Sequence, residues 1–204
     1  MVFAVARQAG WLTDAVSAEH ASIGLVTGAD RKRFRTRSGG SVKLIDLIDE
    51  AVGIGAVKYA DLSTARESAY LFDWDRMISF RGNTGPYLQY ATARIRSIFR
   101  RADNAAGDGD AAVAVTAGPE RALALRLLDF GAMVTQLGET AEPHRLCAYL
   151  FDVASLFTTF YEECPVLKAE PESLRASRLA LCALTLQVLT KGLELLGVPI
   201  PDRM

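Results

Sequence analysis

The sequence is poor in the residues that most often build reaction centres. It has two histidines, His20 and His144, and three cysteines, Cys147, Cys164 and Cys182, no two of which stand two residues apart. That supply makes a four-ligand zinc site hard to assemble, and no metal is expected. The odd number and apolar settings of the cysteines favour reduced core thiols over a disulfide frame. Long hydrophobic runs are lacking too: no stretch approaches the roughly 20 uninterrupted apolar residues that cross a bilayer. The opening MVFAVARQAGWLTD carries neither a basic leader nor a cleavage site, so the expectation is a cytoplasmic chain without a membrane partner. A strong charge of one sign is also missing. With a net charge of -1, nothing global draws the chain to nucleic acid, and any such binding must be local.

What is present is a chain of 204 residues, 50% hydrophobic and 23% charged, enough for one ordinary core and a small appended module. Two basic clusters stand out. Arg31, Lys32, Arg33, Arg35 and Arg37 follow a turn at Gly28–Asp30, and Arg94, Arg96, Arg100 and Arg101 fall near one helix end. Taken alone, such clusters read as solvated surface.

Periodicity predicts helices for most of the rest. Ser41 can cap a short helix, VKLIDLIDEAV, which Gly53 and Gly55 interrupt; the stretch from there to Phe80 reads as a turn-rich connector. Asn83 or Thr84 then caps a helix with Pro86 in its first turn and a buried stripe at Leu88, Ala91, Ile95, Ile98 and Ala102. Residues 103–119, rich in Ala, Gly and Asp, read as a flexible loop. Leu123, Leu127, Phe130, Val134 and Leu137 define the next helix, and Leu146, Leu150, Val153, Phe157 and Phe160 another. The last has a stripe at Leu174, Leu181, Leu184, Val188 and Leu195, carries Gly192 inside it and stops at Gly197 and Pro199. The expected product is an up-and-down bundle of about four long helices.

Tyr87, Tyr90 and Arg94 recur at three and four residues and share one helix face. Spacing alone leaves open whether the rings flank the core or face a ligand. Tyr149, Phe157 and Tyr161 repeat the pattern later, where neighbouring apolar residues favour core. His144 beside Arg145 reads as a helix end.

The run GNTGPYLQYATARIRSI resembles the hallmark segment of class I arginyl-tRNA synthetases. The similarity continues through EPHRLCAYLFDVASLFTTFYEECPVL and RLALCALTLQVLTKGLELLGVPIPDRM, and upstream through FRTRSGGSVKLIDLIDEAV, VGIGAVKYADLS and FDWDRMISF. It implies an all-α anticodon-binding helical bundle over residues 81–204, a connector or stem-contact segment over 41–80, and a short α/β remnant of the catalytic domain over 1–40. Matched residue by residue, Tyr87, Tyr90, Arg94 and Met204 fall on positions that meet the anticodon loop in that family. Stacking of unpaired bases on aromatic rings, with Arg on a phosphate or a base, suits that role. The basic loop RKRFRTRSGG resembles the segment that closes over ATP, with Lys32, Arg35 and Arg37 as its relevant cations and Arg35 standing where the family commonly has Lys.

The implied partner is an arginine-accepting tRNA, not DNA. The nucleotide fold with its His-Ile-Gly-His type signature is missing, and a helical segment usual after Val52 is absent. ATP is thus implied for the full-length family but no cofactor for this chain alone, and no catalytic residue is expected. The readings carried forward are a tRNA-binding piece inactive by itself, one part of a split ligase completed by a catalytic-domain protein, or a helical module repurposed to dock on protein.

Overall fold

A computed structural model describes residues 2–18, 20, 24, 26–27, 51–102 and 112–201. Among them the architecture is helical: α1 (Val2–Gln8), α2 (Ala51–Leu62), α3 (Trp74–Met77), α4 (Gly85–Arg101), α5 (Gly118–Leu128), α6 (Phe130–Thr140), α7 (Pro143–Glu163) and α8 (Glu172–Leu195). Two short strands, β1 (Val26–Thr27) and β2 (Tyr70–Leu71), pair in parallel with Val26 opposite Tyr70. The all-α expectation holds.

Helix α4 forms as its sequence predicts. Thr84 is the cap, its Oγ1 accepting from the Tyr87 N–H at 3.2 Å while donating to the Ser79 carbonyl at 2.6 Å. Leu88, Ala91, Ile95, Ile98 and Ala102 are all buried against α7 and α8. Asn83, the other candidate cap, is used elsewhere. Its side chain meets the hydroxyl of fully buried Tyr59, which also donates to the Cys147 carbonyl at 2.9 Å. One tyrosine thus pins α2 to the entry of α4 and to α7.

Three expectations change. Gly53 and Gly55 do not interrupt a helix; they lie inside α2, and the segment before Ala51 is outside the described residues. A Cβ at Gly55 would come within 2.4 Å of the Gln89 amide nitrogen, and one at Gly85 within 2.5 Å of the Gly55 carbonyl oxygen, so the glycines permit a backbone-close crossing of α2 and α4. Gly192 serves the same end in α8, where a Cβ would come within 2.4 Å of Leu150 Cδ2.

The single helix expected over residues 123–137 is two helices, α5 and α6, divided at Asp129. Arg126's carbonyl receives the Tyr149 hydroxyl at 2.8 Å and the Asp129 N–H at 3.3 Å, which tightens the chain into a new direction.

The stripe predicted for α8 is displaced as well. Leu184 and Leu195 are exposed, whereas Ser177, Arg178, Thr185 and Gly192 are buried beside Leu181, Leu189 and Leu193. These polar residues enter the core because each finds a partner. Ser177 Oγ donates to the Ala114 carbonyl and accepts from its N–H, Thr185 donates to the Leu181 carbonyl, and Arg178 pairs with Glu120 at 2.7 Å while donating to the Pro165 carbonyl.

Glu120 anchors the start of α5, where its carboxylate also accepts from the N–H groups of Thr116 and Ala117. Burial alone would raise its pKa, but hydrogen bonds from Thr116, Arg178 and Ala117 outweigh that and hold the carboxyl below its ordinary range. All three cysteines are free and buried, and burial pushes the Cys147 and Cys182 thiols up to about 12, too high for nucleophiles.

Candidate nucleic-acid interface

The described residues leave one strip of α4 uncovered. Tyr90 projects from it 45% exposed, and its ring meets the exposed Phe80 edge to face, centroids 6.3 Å apart. One turn on, the Arg94 guanidinium lies over the half-buried Tyr161 ring of α7, 4.6 Å from its centroid. Tyr161 in turn stacks on buried Phe157, centroids 6.1 Å apart at an interplanar angle of 26°. Cation, surface ring and core ring form one column rooted in the hydrophobic core. Among the described residues no carboxylate pairs with Arg94.

This column borders a cavity of about 340 Å³ lined by Tyr90, Arg94, Ser97, Arg100, Arg101 and Tyr161. It gathers one aromatic ring free of the core, a guanidinium already stacked, and two further cations at the end of α4. Such a set accepts a flat π-system and an anionic group together.

Of the predicted site residues, Tyr90 and Arg94 come together here. Tyr87 does not line the cavity: half-buried, it turns toward Phe151 of α7, with centroids 5.5 Å apart. Met204, Lys32, Arg35 and Arg37 lie outside the described residues. Arg96, counted with the basic cluster, donates to the Pro201 carbonyl at 2.9 Å. Arg145 is engaged by Glu142 within its own turn, and partly buried His144 has an Nδ1 without a hydrogen-bond partner.

Sequence reasoning missed Tyr161 and Phe80. Tyr161 was grouped with Tyr149 and Phe157 as core, yet those two are fully covered while Tyr161 forms a cavity wall. The available signal was its place in the last turn of its helix, beside Glu162 and Glu163, where an apolar stripe runs out into solvent.

The family described as DALR anticodon binding domain matches residues 88–204, more than half the chain and every residue that lines the cavity just described. The chain belongs to the DALR anticodon-binding family. The family described as tRNA synthetases class I (R), catalytic domain, matches residues 1–52. The chain is 54% identical to the arginine-tRNA ligase of Thermobifida fusca, with all of this chain and 40% of the relative covered. Against the arginine-tRNA ligase of Frankia casuarinae it is 51% identical, covering all of this chain and 39% of the relative. Among solved structures, Thermus thermophilus arginyl-tRNA synthetase superimposes with a TM-score of 0.76 at 32% identity over 89% of this chain and 35% of that one.

The chain therefore corresponds to the C-terminal end of an arginyl-tRNA synthetase and spans about 40% of the length of the curated relatives it matches. The alignments to both bacterial ligases run over 230 residues, more than this chain's 204, so the relatives carry residues that it lacks. Among the described residues no helix is long and apolar enough to cross a membrane.

Proposed function

We propose that this chain grips the anticodon stem and loop of an arginine-accepting tRNA through the Tyr90, Arg94 and Tyr161 face, and that this is its share of arginyl-tRNA formation. The observation that carries the reading is the Arg94 guanidinium stacked on Tyr161 at the mouth of a cavity that Tyr90 also lines, inside the region matching an anticodon-binding domain. Tyr90 supplies a stacking surface, Arg94 a cation over a base or against a phosphate, and Arg100 and Arg101 further phosphate contacts. Tyr87, turned toward Phe151 of α7, and Met204 join the RNA face, as the family resemblance implies. Residues 81–204 act as the RNA-binding unit, 41–80 as the connector against the tRNA stem, and 1–40 as a catalytic-domain piece.

The full-length family uses ATP. Lys32, Arg35 and Arg37 correspond to the loop that would close on it, but this chain by itself does not form arginyl-adenylate, because the groups that would orient arginine against ATP are not among its residues. The cytoplasm is the compartment where such a protein would work.

A second reading, in which the rest of a catalytic domain docks on the N-terminal segment, is favoured by one observation. Helix α1 buries no residue, and Val2, Val5 and Trp11 are 79%, 55% and 84% exposed in the stretch that matches the catalytic family. Titration of the purified chain with arginine tRNA and with a tRNA of unrelated anticodon tests the first reading, and arginine-dependent pyrophosphate exchange tests the second. Preferential binding without exchange is expected. Equal affinity for both tRNAs removes the anticodon reading, and exchange above the no-enzyme level shows that the chain carries chemistry denied to it here.

A further inference from the structure

The segment after α8 is held against the rest of the molecule by side chains from two other helices. Helix α8 ends in a Schellman turn: the Val198 N–H reaches the Leu193 carbonyl at 2.9 Å, the Gly197 N–H reaches the Glu194 carbonyl at 2.9 Å, and Gly197 takes a φ of +64°. Val198 buries its side chain, and Ile200 packs on the same core. From there every second carbonyl is taken by a donor from elsewhere. Lys58 Nζ of α2 donates to the Gly197 carbonyl at 2.8 Å, Gln89 Nε2 of α4 to Pro199 at 2.7 Å, and Arg96 Nη1 of α4 to Pro201 at 2.9 Å.

The choice of residues matches this arrangement. Proline has no N–H, so the carbonyl is the one backbone polar group at Pro199 and at Pro201, and in each case a side chain satisfies it. Both rings also fix φ, leaving less backbone freedom to lose on docking.

The docked segment has a defined place relative to the RNA face. At about 100° per residue, Gln89 and Arg96 lie on one flank of α4, roughly 140° to 160° around the helix from Arg94, with Arg100 between that flank and the cavity. The open strip of α4 is therefore bordered on one side by Tyr161 of α7 and on the other by residues 197–201.

We propose that residues 197–201 form the second wall of the RNA trough on α4, and that Lys58, Gln89 and Arg96 are positioning residues that hold this wall in place. The inference rests on the tRNA-binding reading of the Tyr90 and Arg94 face. Arg96 acts through the Pro201 carbonyl and not through a phosphate. The basic cluster of the sequence thus divides into Arg94, Arg100 and Arg101, which face the ligand, and Arg96, which shapes the site.

The experiment uses the full chain with a carbon-13 methyl label on isoleucine, the Ile200 signal assigned by Ile200→Val, and arginine tRNA as the probe. In Arg96→Met the Ile200 methyl should become mobile and tRNA affinity should fall about tenfold, with the slope of log affinity against log salt unchanged. Arg96→Lys, which can still donate to the carbonyl, should restore most of the affinity. Lys58→Met, remote from the cavity, should free Ile200 and weaken binding in the same way, giving an independent route if Arg96→Met folds poorly. An ordered Ile200 in both Met variants overturns the latch. A mobile Ile200 with unchanged affinity overturns the wall. A loss accompanied by a slope smaller by roughly 0.7 identifies Arg96 as a direct phosphate contact and also overturns the proposal. If the unmutated chain binds no tRNA, the RNA reading falls and takes this one with it, an outcome distinct from normal binding that is indifferent to Arg96.

Discussion

Among the described residues two arginine-over-tyrosine pairs share the same centroid distance, and their surroundings separate packing from recognition. Arg126 lies over Tyr149 and Arg94 over Tyr161, each guanidinium 4.6 Å from the ring centroid. The first pair is closed. Tyr149 is fully buried, burial pushes its hydroxyl up to about 12, that hydroxyl donates to the Arg126 carbonyl, and Arg126 is further engaged by Asp129 at 3.3 Å and Asp152 at 2.9 Å. The second pair is open: no acid pairs with Arg94 among the described residues, Tyr161 is half-buried, and both border a cavity with Tyr90. A cation–π contact is therefore no sign of function by itself. The lone charge and the space beside the ring make the difference.

Substitutions sharpen the contrast. The largest effect is expected on the closed side of the bundle. Glu120→Ala strands the buried Arg178 guanidinium and should cost roughly 3 to 5 kcal/mol of stability, read from the denaturant midpoint, while tRNA affinity in the folded fraction is retained. The same carboxylate sets a pH dependence. Because its folded pKa lies below the ordinary value of 4.5, its contribution is complete at neutral pH and fades as the pH drops through 4.5 toward the folded pKa. Stability of the unmutated chain should decline in that window, and Glu120→Gln should flatten the decline. An unaltered slope in Glu120→Gln would assign the acid lability to other carboxylates.

On the open side the expectation reverses. Tyr90→Ala should weaken tRNA binding by roughly 1 to 3 kcal/mol, with stability within about 0.5 kcal/mol of the parent, since nearly half of the residue is already in solvent. Isothermal titration beside a melting curve checks both. A cooperative loss of stability in Tyr90→Ala would move this ring to the closed class.

The parts of this division that the sequence revealed are those written in hydropathy. The α4 stripe from Leu88 to Ala102 and the α7 stripe from Leu146 to Phe160 follow a clean helical period because their buried positions are almost all apolar. The α8 stripe did not, because its buried face includes Ser177, Arg178 and Gly192, whose neighbours Ala114, Pro165, Glu120 and Leu150 are known only once the chain has folded.

Gly53 and Gly55 misled for a related reason. Glycine weakens an isolated helix, and only the presence of α4 shows that Gly55 makes room for Gln89. The break at Asp129 depends on the Tyr149 hydroxyl, a contact 23 residues away in sequence. At the site, the spacing of Tyr90 and Arg94 pointed to a shared face, but spacing could not send Tyr87 to Phe151 or bring Tyr161 under Arg94, since both outcomes are set by where α7 lies.

The most direct test of the account is the affinity of the anticodon stem-loop of an arginine tRNA for Arg94→Ala, measured together with the melting temperature. Removing a partly exposed guanidinium that no acid pairs with among the described residues should leave the melting temperature within about 2 °C of the parent, because little stability is at stake. Affinity should fall about tenfold, the loss of roughly 1.4 kcal/mol of base or phosphate contact, and the salt slope should shrink by roughly 0.7. If the melting temperature falls by several degrees while the folded protein binds the stem-loop as well as the parent does, Arg94 and Tyr161 are a packing pair like Arg126 and Tyr149, and the open face of α4 is not the RNA site.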